Sequence, residues 1–344
     1  MKRFTALLLV AVFFLTSCSS RKSETVMSYG EASYDENLYF YELAMMKSEL
    51  LQQYAGTTTD IPQFWAHEMA EGVTVDRYFF TECNTNMMIN LFFADYAIKK
   101  GGLDKEDKKK IDEAIDDIVE QYGSKAAVNK YLEKFTIDLG MYREYLELYA
   151  LTQKGISLAY SDGGDYQISA ERMFEYYNDN FVTVKHIAIG TEYAGSDEDG
   201  NIIYYTDEEK TAKRELIASI KEGLQNGEDF DKYYSLSEDG QAKNYPDGYT
   251  ITKGVFTDVM KGYENVAFSL AEGEWDEFEL EGTSLYIIKR VPLLESDFYN
   301  CVNTIHTSLM TVDKAERVVE SFDDFYRNET VIGNYNMAMI PTLS

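Results

Sequence analysis

Val182-Thr183-Val184-Lys185-His186-Ile187-Ala188-Ile189 places Val182, Val184, His186 and Ala188 in alternation with Thr183, Lys185, Ile187 and Ile189. A period of two belongs to a β-strand, whose successive side chains point to opposite faces. A histidine in such a run is either a satisfied core residue or a group held for chemistry, and the strand alone favours the first. Upstream, Ser161-Asp162-Gly163-Gly164-Asp165 is a break, and Ser169 is a candidate N-cap for a short helix carrying Met173, Phe174 and Tyr177. Downstream, Ser196 to Gly200 reads as an acidic loop. Thr206-Asp207-Glu208-Glu209 then has the form of a capping box, followed by Ala212, Leu216, Ile220 and Leu224 on one helical face. Gly227 stops that helix, and Phe230, Tyr233 and Tyr234 start a shorter one. Glu277 to Leu280 and Ser284 to Lys289 read as closing strands. Residues 181–292 therefore form an α+β domain.

Further out the period changes to three and four. Ile111, Ile115, Ile118, Val119 and Tyr122 share a helical face, as do Val128, Tyr131, Leu132 and Phe135. Residues 38–180 are expected to form an all-helical domain. The helical period returns over 293–344 through Val302, Ile305, Val318, Val319 and Phe322. Residues 18–37 are polar and read as a tether. The acidic run Asp112 to Glu120 is the wet side of a helix.

The first residues concern location. Lys2 and Arg3 precede an apolar run from Ala6 to Leu15, too short for a permanent membrane span and of signal-peptide form. Leu15-Thr16-Ser17-Cys18 resembles the bacterial lipobox, which implies a lipoprotein signal peptide over 1–17 and lipidation of Cys18. The chain is then expected outside the cytoplasm, lipid-anchored to the cell membrane.

Composition narrows the class. The 344 residues carry 60 Asp+Glu against 32 Lys+Arg, a formal charge of −28, which argues against nucleic acid as partner. A 45% hydrophobic and 14% aromatic content excludes a disordered acidic chain. Apart from Cys18 only Cys83 and Cys301 remain, and a bond between them is open. His67 and His306 lack metal-ligand spacing and read as structural. No Gly-rich phosphate loop is present, and neither metal nor cofactor is expected.

Five ordered stretches carry a resemblance. They are Val184-Lys185-His186-Ile187-Ala188-Ile189; Phe230 through Ser237-Glu238-Asp239; Pro246-Asp247-Gly248-Tyr249; Tyr263-Glu264-Asn265-Val266-Ala267-Phe268-Ser269-Leu270 with Glu272-Gly273-Glu274; and Ser284-Leu285-Tyr286-Ile287-Ile288-Lys289. Together they resemble the parvulin-type peptidyl-prolyl isomerases over about a third of the chain. The surrounding order of segments is similar to the extracytoplasmic foldase lipoproteins (PrsA/SurA-like). That resemblance implies a four-stranded antiparallel sheet with helices, inserted in an all-helical chaperone domain on which 293–344 packs.

By the same resemblance His186, Asp239, Tyr286 and Thr283 are the candidate catalytic residues. Met260, Tyr263 and Phe268 are the candidate walls of a pocket for the proline ring. Two departures stand out. Tyr286 replaces a second histidine that the family commonly has, and one residue fewer separates Met260 from Tyr263, which leaves Val259 as an alternative to Met260. Phe268 also fits an ordinary core position. Two functions follow: a membrane-anchored foldase that isomerises X–Pro bonds in exported, unfolded polypeptides, or a non-catalytic chaperone with a degenerate parvulin-like domain. Oligomeric state is not legible.

Overall fold

The computed structural model describes residues 23–53, 61–196, 199 and 201–343. Residues 1–17, expected from sequence to be a signal peptide, and Cys18 lie outside the described residues. In chain order the first elements are β1 (Thr25–Tyr29), β2 (Ala32–Asp35), α1 (Glu36–Gln53), α2 (Pro62–Ala66), β3 (Glu68–Ala70), β4 (Val73–Thr74), α3 (Val75–Lys99), α4 (Lys105–Tyr122), α5 (Lys125–Leu132) and α6 (Leu139–Tyr160). Next come α7 (Ala170–Asn180), β5 (Phe181–Gly190), β6 (Tyr193–Ser196), β7 (Ile202–Tyr204), α8 (Asp207–Gln225), α9 (Asp231–Tyr234), α10 (Gln241–Asn244), β8 (Tyr249–Thr252), α11 (Lys261–Ser269), β9 (Trp275–Leu280) and β10 (Ser284–Val291). The chain ends with α12 (Glu295–Glu320), β11 (Tyr326–Arg327) and α13 (Glu329–Ile332). No helix among the described residues is long and apolar enough to cross a membrane.

Two units divide the chain, one of residues up to Gln167 with those from Thr311 on, the other Ile168–Met310. The first unit is mainly helical but not all-helical. Residues 25–35, read as part of a tether, form two strands of a three-stranded sheet ordered β11-β1-β2. Val26, Met27 and Tyr34 are buried, so the polar look of this segment hid an alternating inward face. Thr152 Oγ1 on α6 donates to Asn90 O on α3 at 3.0 Å, and Gly155 lets the two helices close together. From Thr311 the chain belongs to this unit: β11 pairs antiparallel with β1, and the buried Lys47 donates to Ile340 O at 2.6 Å.

The second unit begins earlier and ends later than the 181–292 expected from sequence. Helix α7, capped by Ser169 accepting from Arg172 N, leads directly into β5, and Tyr177 donates its hydroxyl to Leu294 O at 2.7 Å. Those contacts draw 168–180 and 293–310 into the unit. Its sheet has four antiparallel strands in the order β8-β5-β10-β9. Strand β5 is central and buried along almost its whole length, on both faces. Ile187 and Ile189 pack on Ile220 and Leu224 of α8 and on Phe230 and Tyr234. Val182 and Val184, on the opposite face, pack on Tyr263 and Ala267 of α11. Helix α8 starts with the capping box read from sequence, Thr206 N donating to Glu209 Oε2 at 2.8 Å. Cys83 and Cys301 are free thiols, one in each unit.

Candidate functional site

His186 stands on the face of β5 that α11 covers, in line with Val184 and Ala188. Register decides its company. In β8, Tyr249 lies opposite Val184; in β10, Tyr286 lies opposite Ala188 and also opposite Phe278 of β9. Residues opposite one another share a sheet face, so Tyr249, His186, Tyr286 and Phe278 lie on one face of the sheet, with His186 between the position facing Tyr249 and the position facing Tyr286. Tyr263 comes down from α11 onto the same face. Its ring centroid is 5.6 Å from that of His186 and 5.6 Å from that of Tyr286, edge to face in both. Tyr286 stands edge to face with His186 at 5.2 Å.

Both imidazole nitrogens are engaged. Nε2 meets a carboxylate oxygen of Asp239, and Nδ1 lies 2.6 Å from the Tyr249 hydroxyl and 2.8 Å from that of Tyr263. The two hydroxyls also touch each other. Asp239 is placed by a loop docked on the end of β5: Ala188 N donates to Ser237 Oγ at 2.9 Å, and Glu238 N to Ala188 O at 2.9 Å. Ser237 Oγ in turn donates to the second Asp239 oxygen at 2.8 Å. His186 is 5% exposed and Tyr263 1%, whereas the Asp239 side chain is 28% exposed, so the cluster meets solvent at the carboxylate. Burial pushes the Tyr249, Tyr263 and Tyr286 hydroxyls above the ordinary phenol range, which keeps them protonated donors.

Of the residues read from sequence, His186, Asp239, Tyr263 and Tyr286 meet in this cluster. Met260 and Phe268 are partly buried against the core beneath α11, while Val259 is 66% exposed and does not replace Met260. Thr283 is not brought to His186. It sits in the β9–β10 turn, its hydroxyl facing Glu281 O at 3.5 Å, because the ladder between β9 and β10 ends at the Ser284–Leu280 pair and leaves Thr283 outside the sheet. Tyr263 is no open pocket wall either; its ring is core and its hydroxyl is committed to His186.

Tyr249 was not singled out from sequence, where it marked only the end of a turn. The available signal was a two-residue offset on a strand adjacent to β5, which needs the register to be seen. Phe278 was likewise missed; its ring presses on α11 where Gly262 leaves room, a Cβ there falling 2.4 Å from Phe278 Cε2. Among the described residues no group of three or more His, Cys, Asp or Glu could hold a metal ion.

The second unit is thus an α+β domain in which an antiparallel sheet, covered on both faces by helices, carries a buried histidine between a carboxylate and two tyrosine hydroxyls. Comparison with protein-family models and with curated proteins gives no match. Among solved structures, the chain is similar to the peptidylprolyl isomerase PrsA from Bacillus cereus at 17% identity, over 78% of this chain and 92% of that one, with a TM-score of 0.31. For PrsA from Bacillus anthracis the figures are 18%, 68%, 94% and 0.27. For the foldase protein PrsA from Streptococcus pneumoniae they are 18%, 78%, 91% and 0.24. At such identities and TM-scores nothing of those proteins' activity is carried over to this chain.

Proposed function

We propose that this chain is an extracytoplasmic foldase, in which the second unit binds proline-containing segments of exported polypeptides and accelerates rotation about the X–Pro bond. The first unit holds the unfolded chain, and Cys18 is the point of lipid attachment. The observation that carries the reading is the His186 cluster, whose Asp239 carboxylate faces solvent beside the half-buried Tyr286.

The X–Pro bond resists rotation because resonance gives the C–N link partial double-bond character, with negative charge on oxygen and positive charge on nitrogen. Uncatalysed exchange takes about tens to hundreds of seconds. A fixed carboxylate near the carbonyl oxygen, in surroundings of low polarity, disfavours that charge separation and so favours the twisted state. Asp239 supplies the charge, and His186 with Ser237 fixes its direction. The rings of Tyr286 and Phe278 supply the apolar lining. Each tenfold acceleration requires about 1.4 kcal/mol of differential stabilisation, which one oriented carboxylate can provide.

The test uses the chain from residue 18 on, with Cys18→Ser, on a tetrapeptide with one X–Pro bond. Turnover is expected, and Asp239→Ala should lower it at least about tenfold. No turnover by the unaltered site would refute the isomerase.

The burial of Tyr263 favours a second reading, in which the unit binds polypeptide without turning it over. That reading expects no turnover but suppressed aggregation of an unfolded client. Tyr286→His separates the two further: a gain in rate means that the replaced histidine limits an otherwise intact site.

A further inference from the structure

Three atoms meet at the inner end of His186: its Nδ1, the Tyr249 hydroxyl oxygen and the Tyr263 hydroxyl oxygen, each in hydrogen-bond contact with the other two. Counting protons decides what this triangle can hold. If Nδ1 is bare, two hydroxyl protons serve it fully: one donates to Nδ1 and the other to the neighbouring hydroxyl. If Nδ1 carries a proton, three protons face only two acceptors, and one hydroxyl proton is left without a partner. Tyr263 is almost fully buried and Tyr249 half-buried, so a proton left over there is held away from most of the solvent without a partner, which disfavours that arrangement. At the outer end, Nε2 faces the Asp239 carboxylate, an acceptor that rewards a proton on Nε2.

We propose that Tyr249, together with Tyr263, is a positioning residue that holds His186 as the neutral Nε2–H tautomer and so aims its N–H at Asp239. The two hydroxyls come from different elements, β8 in the sheet and α11 above it, which pins the ring from two directions. Tyr286, edge-on to the ring, makes no hydrogen bond in the triangle. The kinetic consequence rests on the isomerase reading above; the tautomer does not.

The test is long-range proton–nitrogen NMR of the histidine rings in the full chain from residue 18, near neutral pH. Only three histidines are present, and His186→Gln identifies the relevant signals. The unaltered protein should show one tautomer, with Nε2 protonated and Nδ1 bare. A proton on Nδ1 there overturns the proposal without need of any variant. Tyr249→Phe/Tyr263→Phe, which keeps both rings and removes both hydroxyls from Nδ1, should give a mixture of tautomers or a doubly protonated ring; an unchanged spectrum in that double variant also overturns it. On the X–Pro tetrapeptide, Tyr249→Phe/Tyr263→Phe should lower kcat by about tenfold with KM unchanged, and a change in KM alone counts against positioning. Absence of turnover in the unaltered protein refutes the isomerase, whereas the ring spectrum decides the tautomer by itself.

Discussion

Glu42 lies in the core of the first unit, with Asn90 Nδ2 donating to one carboxyl oxygen at 3.1 Å and no hydrogen-bond partner for Oε2 among the described residues. Burial pushes its pKa up from 4.5 to about 7, against the lowering by the Tyr145 and Asn90 hydrogen bonds. Below the lower value the carboxyl is protonated in both states and contributes nothing adverse. As pH rises, the unfolded chain ionises first, and stability is lost until the folded carboxyl has ionised too. The loss amounts to about 3 kcal/mol. Glu42→Gln should therefore match the unaltered protein near pH 4.5 and gain on it steadily up to about 7, read from urea midpoints. A constant difference across that range would refute the assignment. Gly155 makes the opposite kind of demand. A Cβ there would fall 1.8 Å from Phe93 O, so Gly155→Ala must prise α6 off α3 and should cost about 3 kcal/mol. Nothing local in the sequence marks this glycine, because the need for it lies on another helix about sixty residues away.

At the scale of elements, legibility followed the range of the forces. The strand at His186, the Ser169 cap and the Thr206 capping box were readable because their determinants lie within a few residues. Thr206→Ala should cost about 1 kcal/mol by circular dichroism melts. Strands β1 and β2 were not readable, because half of what orders them arrives from β11 near the other end of the chain. Tyr249 and Thr283 were not legible for a related reason: side-chain company in a sheet depends on register, which is fixed by turn geometry and by pairing with distant strands as well as by each strand's own pattern. The two-stranded β6–β7 ribbon bears Ile202, Ile203 and Tyr204, all exposed, and its pairing is only with itself among the described residues. Such an edge invites pairing between copies. Ile203→Lys should leave the melting temperature unchanged and reduce concentration-dependent association in sedimentation; a lowered melting temperature would show that the ribbon contributes to the core.

For the whole molecule, a formal charge of −28 sets the background. Self-repulsion of that size weakens any folded state and is screened by salt, so the melting temperature should rise between about 10 and 150 mM sodium chloride, over which the Debye length falls from about 30 to 8 Å. No rise would mean that the acids are already neutralised by local pairing. Two units with separate cores also predict two calorimetric transitions, only one of which moves in Gly155→Ala. The helical character of the first unit and the mixed character of the second were legible in the periods; the division at Gln167 and Thr311 was not, since it depends on which side chains α7 and α12 touch.

The pairing of β1 with β11 has a consequence for birth order. A polypeptide emerges from its amino end, and Met27 must wait for Arg327, three hundred positions later, before its ladder closes. The intervening sheet unit, contiguous in the chain, has every partner to hand by Met310 and can finish first. Strand β1 is thus synthesised before the whole of the sheet unit and yet is among the last elements to be sheltered.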